Sequence, residues 1–185
     1  MRSKRGVLLL LALVFCLSGC RFIQTADAVM QVFSTPDEER DHRDNITEAL
    51  EVDVTGGVEV YYENDHGGWL GDGLTFGIVE FPDDSLVSSL QSNFGWNELP
   101  LSENLEIALY GRAGEYSALI RNDGEEALFP KVENGYYYFL NRCSNGLGPG
   151  GRYDDSILFD NYSFNFTAAI YDTDTNTLYY TLFDT

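Results

Sequence analysis

Asp65, His66, Trp69 and Asp72 fall within residues 64–73, among four glycines. Aspartate and histidine are ligands for divalent metals, and a tryptophan held on a loop can stack on a sugar ring or a side chain. Glycines on both sides would let the backbone close around a bound group. The plainer reading is a loop that only turns the chain, with His66 bonded to a neighbouring carbonyl.

Three other stretches carry chemistry-bearing residues. Asp172-Thr173-Asp174-Thr175-Asn176 repeats the first half of a calcium-binding EF-hand loop, but Thr177 stands where the glycine is needed and Phe183 where the closing glutamate would be. A hairpin turn is the expectation, with Ca²⁺ contact at its acidic tip as the alternative. Gly146 to Gly151, flanked by Arg142 and Arg152, resembles a phosphate cradle only superficially, because no helical apolar pattern follows it. A loop whose arginines neutralise nearby carboxylates fits better. Nucleophilic catalysis is poorly supplied: the only histidines are His42 and His66, and no Gly-x-Ser-x-Gly elbow occurs.

The elements that must position these residues can be read from periodicity. Val58 to Glu63 alternates and Leu74 to Phe81 is rich in strand formers, so the two make an antiparallel hairpin around the 64–73 loop. Pro82-Asp83-Asp84 opens a helix with Leu86, Val87, Leu90 and Phe94 on one side, and Ser102 caps a second through Leu105 and Leu109, ended by Gly111. Residues 112–134 are ambiguous, with Tyr116 to Ile120 a candidate strand before an Asn122-Asp123-Gly124 turn. Tyr136 to Leu140, Ser163 to Tyr171 and Thr177 to Phe183 are strands; Phe164, Phe166, Ala168 and Ile170 share one face of the second. The expected fold is α+β, an antiparallel sheet with two short helices packed on one face.

Arg2, Lys4 and Arg5 precede an apolar run from Val7 to Leu17, which ends in Ser18, Gly19 and Cys20. This is the order of a secretory signal, and the run is shorter than the ~20 residues of a membrane-spanning helix. Leu17-Ser18-Gly19-Cys20 resembles the lipobox of bacterial prolipoproteins. The resemblance implies a diacylglyceryl group on Cys20, cleavage before it, and at least two acyl chains, each held by about 0.8 kcal/mol per buried CH₂. An ordinary cleaved signal with a chance cysteine is the alternative. Residues 1–19 are thus expected to be a signal peptide and 20–45 a polar, lipid-anchored tether. Within it, Thr35-Pro36-Asp37-Glu38 is a good helix start, but the charged residues after it leave no face to bury. Residues 46–185 are expected to form a single domain.

The chain holds 11 basic and 30 acidic residues, a formal charge of −19. Loss of the three basic residues before Cys20 would take it to −22, a charge that opposes nucleic acid and anionic lipid surfaces alike. The 12 tyrosines against two tryptophans suit a β-rich body. After loss of Cys16 and acylation of Cys20, Cys143 has no partner, so it is either buried as a small hydrophobe or kept reduced by the habitat.

Trp96-Asn97-Glu98-Leu99-Pro100-Leu101-Ser102, Asn134-Gly135-Tyr136-Tyr137-Tyr138-Phe139 and Tyr171 through Tyr180 resemble phrases in a group of small acidic proteins from Gram-positive gut bacteria. The likeness covers about residues 58–185 and implies a grouping without an activity.

These readings lead to a lipoprotein on the extracytoplasmic face of a bacterial membrane, held there by Cys20. Its domain is expected to bind a protein, a peptide or a small extracellular solute, without catalysis, cofactor or nucleic acid. Asp65, His66, Trp69 and Asp72 are the candidate ligand-binding residues. A Ca²⁺- or Zn²⁺-binding module is the alternative, and a hydrolase the third reading.

Overall fold

The computed structural model describes residues 41–67, 71–143 and 148–185. The signal, Cys20 and nearly all of the tether lie outside the described residues, as does Trp69.

Two hairpins build the sheet. β1 (Val58–Asn64) and β2 (Gly73–Glu80) pair antiparallel from Val58↔Glu80 to Asn64↔Thr75, with a bulge between Glu59 and Tyr61. β5 (Asn165–Asp172) and β6 (Thr177–Asp184) pair from Asn165↔Asp184 to Asp172↔Thr177. Their turn is closed by the Asp172 carboxylate, which accepts from Asp174 N at 2.8 Å, and by Asn176 in the left-handed region at φ 53°. The EF-hand-like stretch is thus a hairpin turn, as expected. β4 (Gly135–Asn141) pairs with β5, and the short β3 (Trp96–Glu98) with β4. The sheet runs β1-β2-β6-β5-β4-β3, all antiparallel.

The helices correct one expectation. α2 (Val87–Ser92) and α3 (Glu103–Tyr110) lie on opposite faces of the sheet instead of sharing one. Leu90 of α2 joins Val79, Tyr138, Ala169, Tyr171 and Leu178 in one core. Leu105, Ala108 and Leu109 of α3 join Phe76, Phe139, Phe166, Ala168 and Ile170 in another. The cause lies in the strands themselves. β5 carries Phe166, Ala168 and Ile170 at one parity and Thr167, Ala169 and Tyr171 at the other, all buried, so both faces need cover. The chain crosses between faces at β3, on the sheet edge.

A third helix, α1 (Arg43–Leu50), packs on the α2 side, and the expected tether–domain boundary at residue 45 falls inside it. Ile46 and Leu50, one helical turn apart, are both fully buried. Just before it, His42 stacks on Tyr62 with centroids 3.7 Å apart and bonds Glu59 at 3.1 Å.

α3 begins and ends where expected. Ser102 Oγ accepts from Leu105 N at 3.2 Å, and Gly111 follows at φ 72°, where a Cβ would lie 2.6 Å from Tyr116 O. The helix after Pro82 starts later, at Val87, because Asp83 is spent on Ser85 N at 3.0 Å; Phe94 lies beyond its end and is 79% exposed. Tyr116 to Ile120 forms no extended strand, only isolated bridges at Arg112↔Tyr116 and Arg121↔Ala127 around the expected turn. A 3₁₀ turn spans Leu158–Asp160.

Candidate functional site

The period of β1 continues into the loop and decides where its residues go. Tyr62, Asn64 and His66 share a parity and meet one face of the sheet, whereas Tyr61, Glu63 and Asp65 meet the other. Asp65 therefore lines a depression of 340 Å³ with Phe76, Asn122 and Asp123, and its carboxylate is taken up by Leu74 N. His66 faces the opposite side. Gly73 permits this crossing of backbones, because a Cβ there would stand 2.5 Å from His66 Cα. Asp72 lies at a third place, a shallow depression with Arg142, Asn165 and Asp184. The three described candidates diverge, and among the described residues no three His, Cys, Asp or Glu side chains are grouped to hold a metal ion.

His66 is instead the start of a polar chain at the sheet end. Its Nδ1 lies 2.9 Å from Asn64 Oδ1 and 3.2 Å from Thr75 Oγ1, and its Nε2 lies 3.1 Å from Asp184 Oδ2. Asp184 Oδ1 pairs with Arg142 Nη2 at 3.0 Å, and the same Nη2 donates to the carbonyls of Phe166 and Phe183, each at 3.2 Å. Sequence reasoning singled out His66 and noticed Arg142, but Asp184 carried no signal. Its role exists only because β6 ends beside the start of β2.

The order Thr75, His66, Asp184 superficially repeats a nucleophile, base and carboxylate. Asn64 Oδ1 accepts from the backbone N of His66 at 3.0 Å, which fixes it as oxygen, so His66 Nδ1 must donate to it. A nitrogen that carries its proton cannot take one from Thr75, which is itself only 4% exposed. Cys143, a half-buried free thiol, is bonded to Ser163 O at 3.4 Å.

This polar chain forms one end of a cleft of 510 Å³ between α1 and the sheet. Thr75, Thr167, Tyr180 and Leu182 make its floor, and α1 contributes Asn45, Glu48 and Ala49. Arg142 and Arg152 complete the lining. Thr167, 1% exposed, lines the cleft, and Arg142, also of its lining, has a buried Nε without a hydrogen-bond partner among the described residues. Tyr180 is also buried, and burial pushes its ionisation well above the usual tyrosine range. In strands Thr167 and Tyr180 read only as β formers, so the sequence gives no sign of their place in a cleft.

The glycine-rich stretch opens no helix in its described part. Gly148 bridges Gly151, and Asp154 accepts from Gly150 N at 2.8 Å. Arg142 is neutralised by Asp184, as expected of an arginine here. Arg152 is not: it is exposed and forms no ion pair among the described residues. No helix among the described residues is long and apolar enough to cross a membrane.

Comparison with protein-family models, with curated proteins and with solved structures finds no match to this chain.

Proposed function

We propose that the chain is an extracytoplasmic lipoprotein, preceded by a signal peptide and a polar tether, anchored through Cys20, and that its domain binds a small solute or peptide without transforming it. The anchoring rests on the lipobox-like ending of the signal. The binding role rests on the cleft between α1 and the sheet, and one observation carries it: Arg142, part of its lining, keeps a buried Nε without a hydrogen-bond partner among the described residues. An unmade hydrogen bond at a buried donor costs about 1–3 kcal/mol, so a cleft whose lining keeps one is better suited to receive a ligand than to add stability. Its volume is in the usual range for small-molecule sites. The proton on His66 Nδ1 speaks for recognition and against nucleophilic chemistry.

Two measurements test this. Cys20→Ala should release the protein from membranes or leave it unprocessed; unchanged processing and partitioning would end the lipoprotein reading. A panel of small extracellular solutes should contain members that raise the melting temperature of the full chain, since a ligand of the native state stabilises it by mass action. Asn45→Trp, an exposed substitution on α1 that fills the cleft, should abolish that shift. A shift unchanged in Asn45→Trp would move binding elsewhere.

A further inference from the structure

From the charges lining the cleft, and resting on its reading as a binding site, we infer that the ligand is a small zwitterion with separated ends, an amino acid or short peptide. Its carboxylate meets Arg152 and its ammonium meets Glu48.

The cleft carries charges of both signs. Arg142 and Arg152 come from β4's end and the loop after it, Glu48 and Glu51 from α1 and its C-cap. Most of these charges are already committed. Arg142 is paired with Asp184, and Glu51 accepts from the Tyr153 hydroxyl at 3.0 Å. Arg152 and Glu48 have no partner among the described residues, and they are of opposite sign. Both side chains are exposed, so each is free to meet a ligand group of the opposite sign at the cleft.

The floor supplies the rest. The hydroxyls of Thr167 and Tyr180 can donate to a carboxylate held by Arg152, and guanidinium is suited to that planar group. Asn45, beside Glu48 on the helix, offers an amide oxygen to an ammonium. Tyr62 and Leu182 give a peptide's short apolar side chains a surface. A simple anion would leave Glu48 facing it, and a simple cation would meet Arg152. Only a molecule with both charges satisfies both side chains.

The test uses the full chain in detergent with three probes: dialanine, N-acetyl-dialanine and dialanine amide. Titration calorimetry should show dialanine binding, with each blocked end weakening it at least tenfold. Arg152→Gln should weaken dialanine tenfold or more but leave the affinity of the amide unchanged, and Glu48→Gln should do the same for the acetylated peptide. Both variants change exposed side chains and should melt like the wild type. Equal binding of blocked and free peptides, abolished in all cases by Asn45→Trp, would overturn the charge assignment while keeping the cleft as a site. Binding insensitive to Asn45→Trp would overturn the cleft as well. Absence of dialanine binding in the wild type would overturn the zwitterion assignment, and a response of the same chain to another solute, lost in Asn45→Trp, would show the cleft intact.

Discussion

His66 and Asp184 lie 118 positions apart in the chain and meet at 3.1 Å, joining the loop after β1 to the last residue of β6. The contact ties the N-terminal hairpin to the C-terminal strand at one end of the sheet. Asp184 also pairs with Arg142, so a single carboxylate touches both side chains, all three being mostly withdrawn from solvent.

Asp184→Asn should therefore cost more than an exposed ion pair would. Arg142 would keep its bonds to the Phe166 and Phe183 carbonyls but lose its counter-charge, and His66 Nε2 would lose its carboxylate. We expect a loss of about 1–3 kcal/mol in urea unfolding, the range for a group left without its partner in a partly buried site. A change below about 0.5 kcal/mol would reduce the chain of contacts to surface decoration.

Ile46 and Leu50 fix where the folded domain begins. Each is wholly buried against the sheet, so Leu50→Ala should cost about 2–5 kcal/mol, as large-to-small changes in a packed core do. Circular dichroism during denaturation reads the loss. A cost under about 1 kcal/mol would return α1 to the tether, which the sequence extends to residue 45.

That misplacement shows what the residues disclosed and what they hid. Both hairpins and the caps at Ser102 and Gly111 were legible, because alternation and turn chemistry are local properties. α1 was hidden because Ile46 and Leu50 are two apolar positions among charged neighbours. The face of each helix was hidden as well, since β5 is apolar at both parities and offers no preferred side. At the site, His66 stood out by its type, whereas Asp184 was one acid among thirty. Asp65 and His66 looked like a pair, yet adjacency in an extended segment sends neighbours to opposite faces.

Cys143 is the sole cysteine among the described residues, is free, and bonds a backbone carbonyl through its Sγ. Reductant should leave the melting temperature of the Cys20→Ala chain unchanged, and Cys143→Ser should shift it little because serine can make the same bond to Ser163 O. A melting temperature that falls with reductant would reveal a disulfide that this arrangement does not contain.

The tyrosines predict how the domain fails in alkali. Burial pushes the Tyr171 phenol up to about 12, with Asp84, Asp83 and Asp172 adding to the effect. Burial likewise raises Tyr110 to about 12, with Glu106 contributing. In the unfolded chain each would ionise near the ordinary value of 10. The fold thus favours the neutral phenol, and a raised value means stability that is fully present below pH 10 and lost as pH rises through 12. Unfolding free energy should be insensitive to these two groups at neutral pH and fall steadily across that window. Near-ultraviolet circular dichroism and phenolate absorbance, followed together, should show the last tyrosines ionising as the tertiary signal disappears. Replacing Tyr171 by Phe should remove part of the slope in this window, since the ring stays packed but nothing remains to ionise. An unchanged slope in that variant would mean that the alkaline transition belongs to other groups.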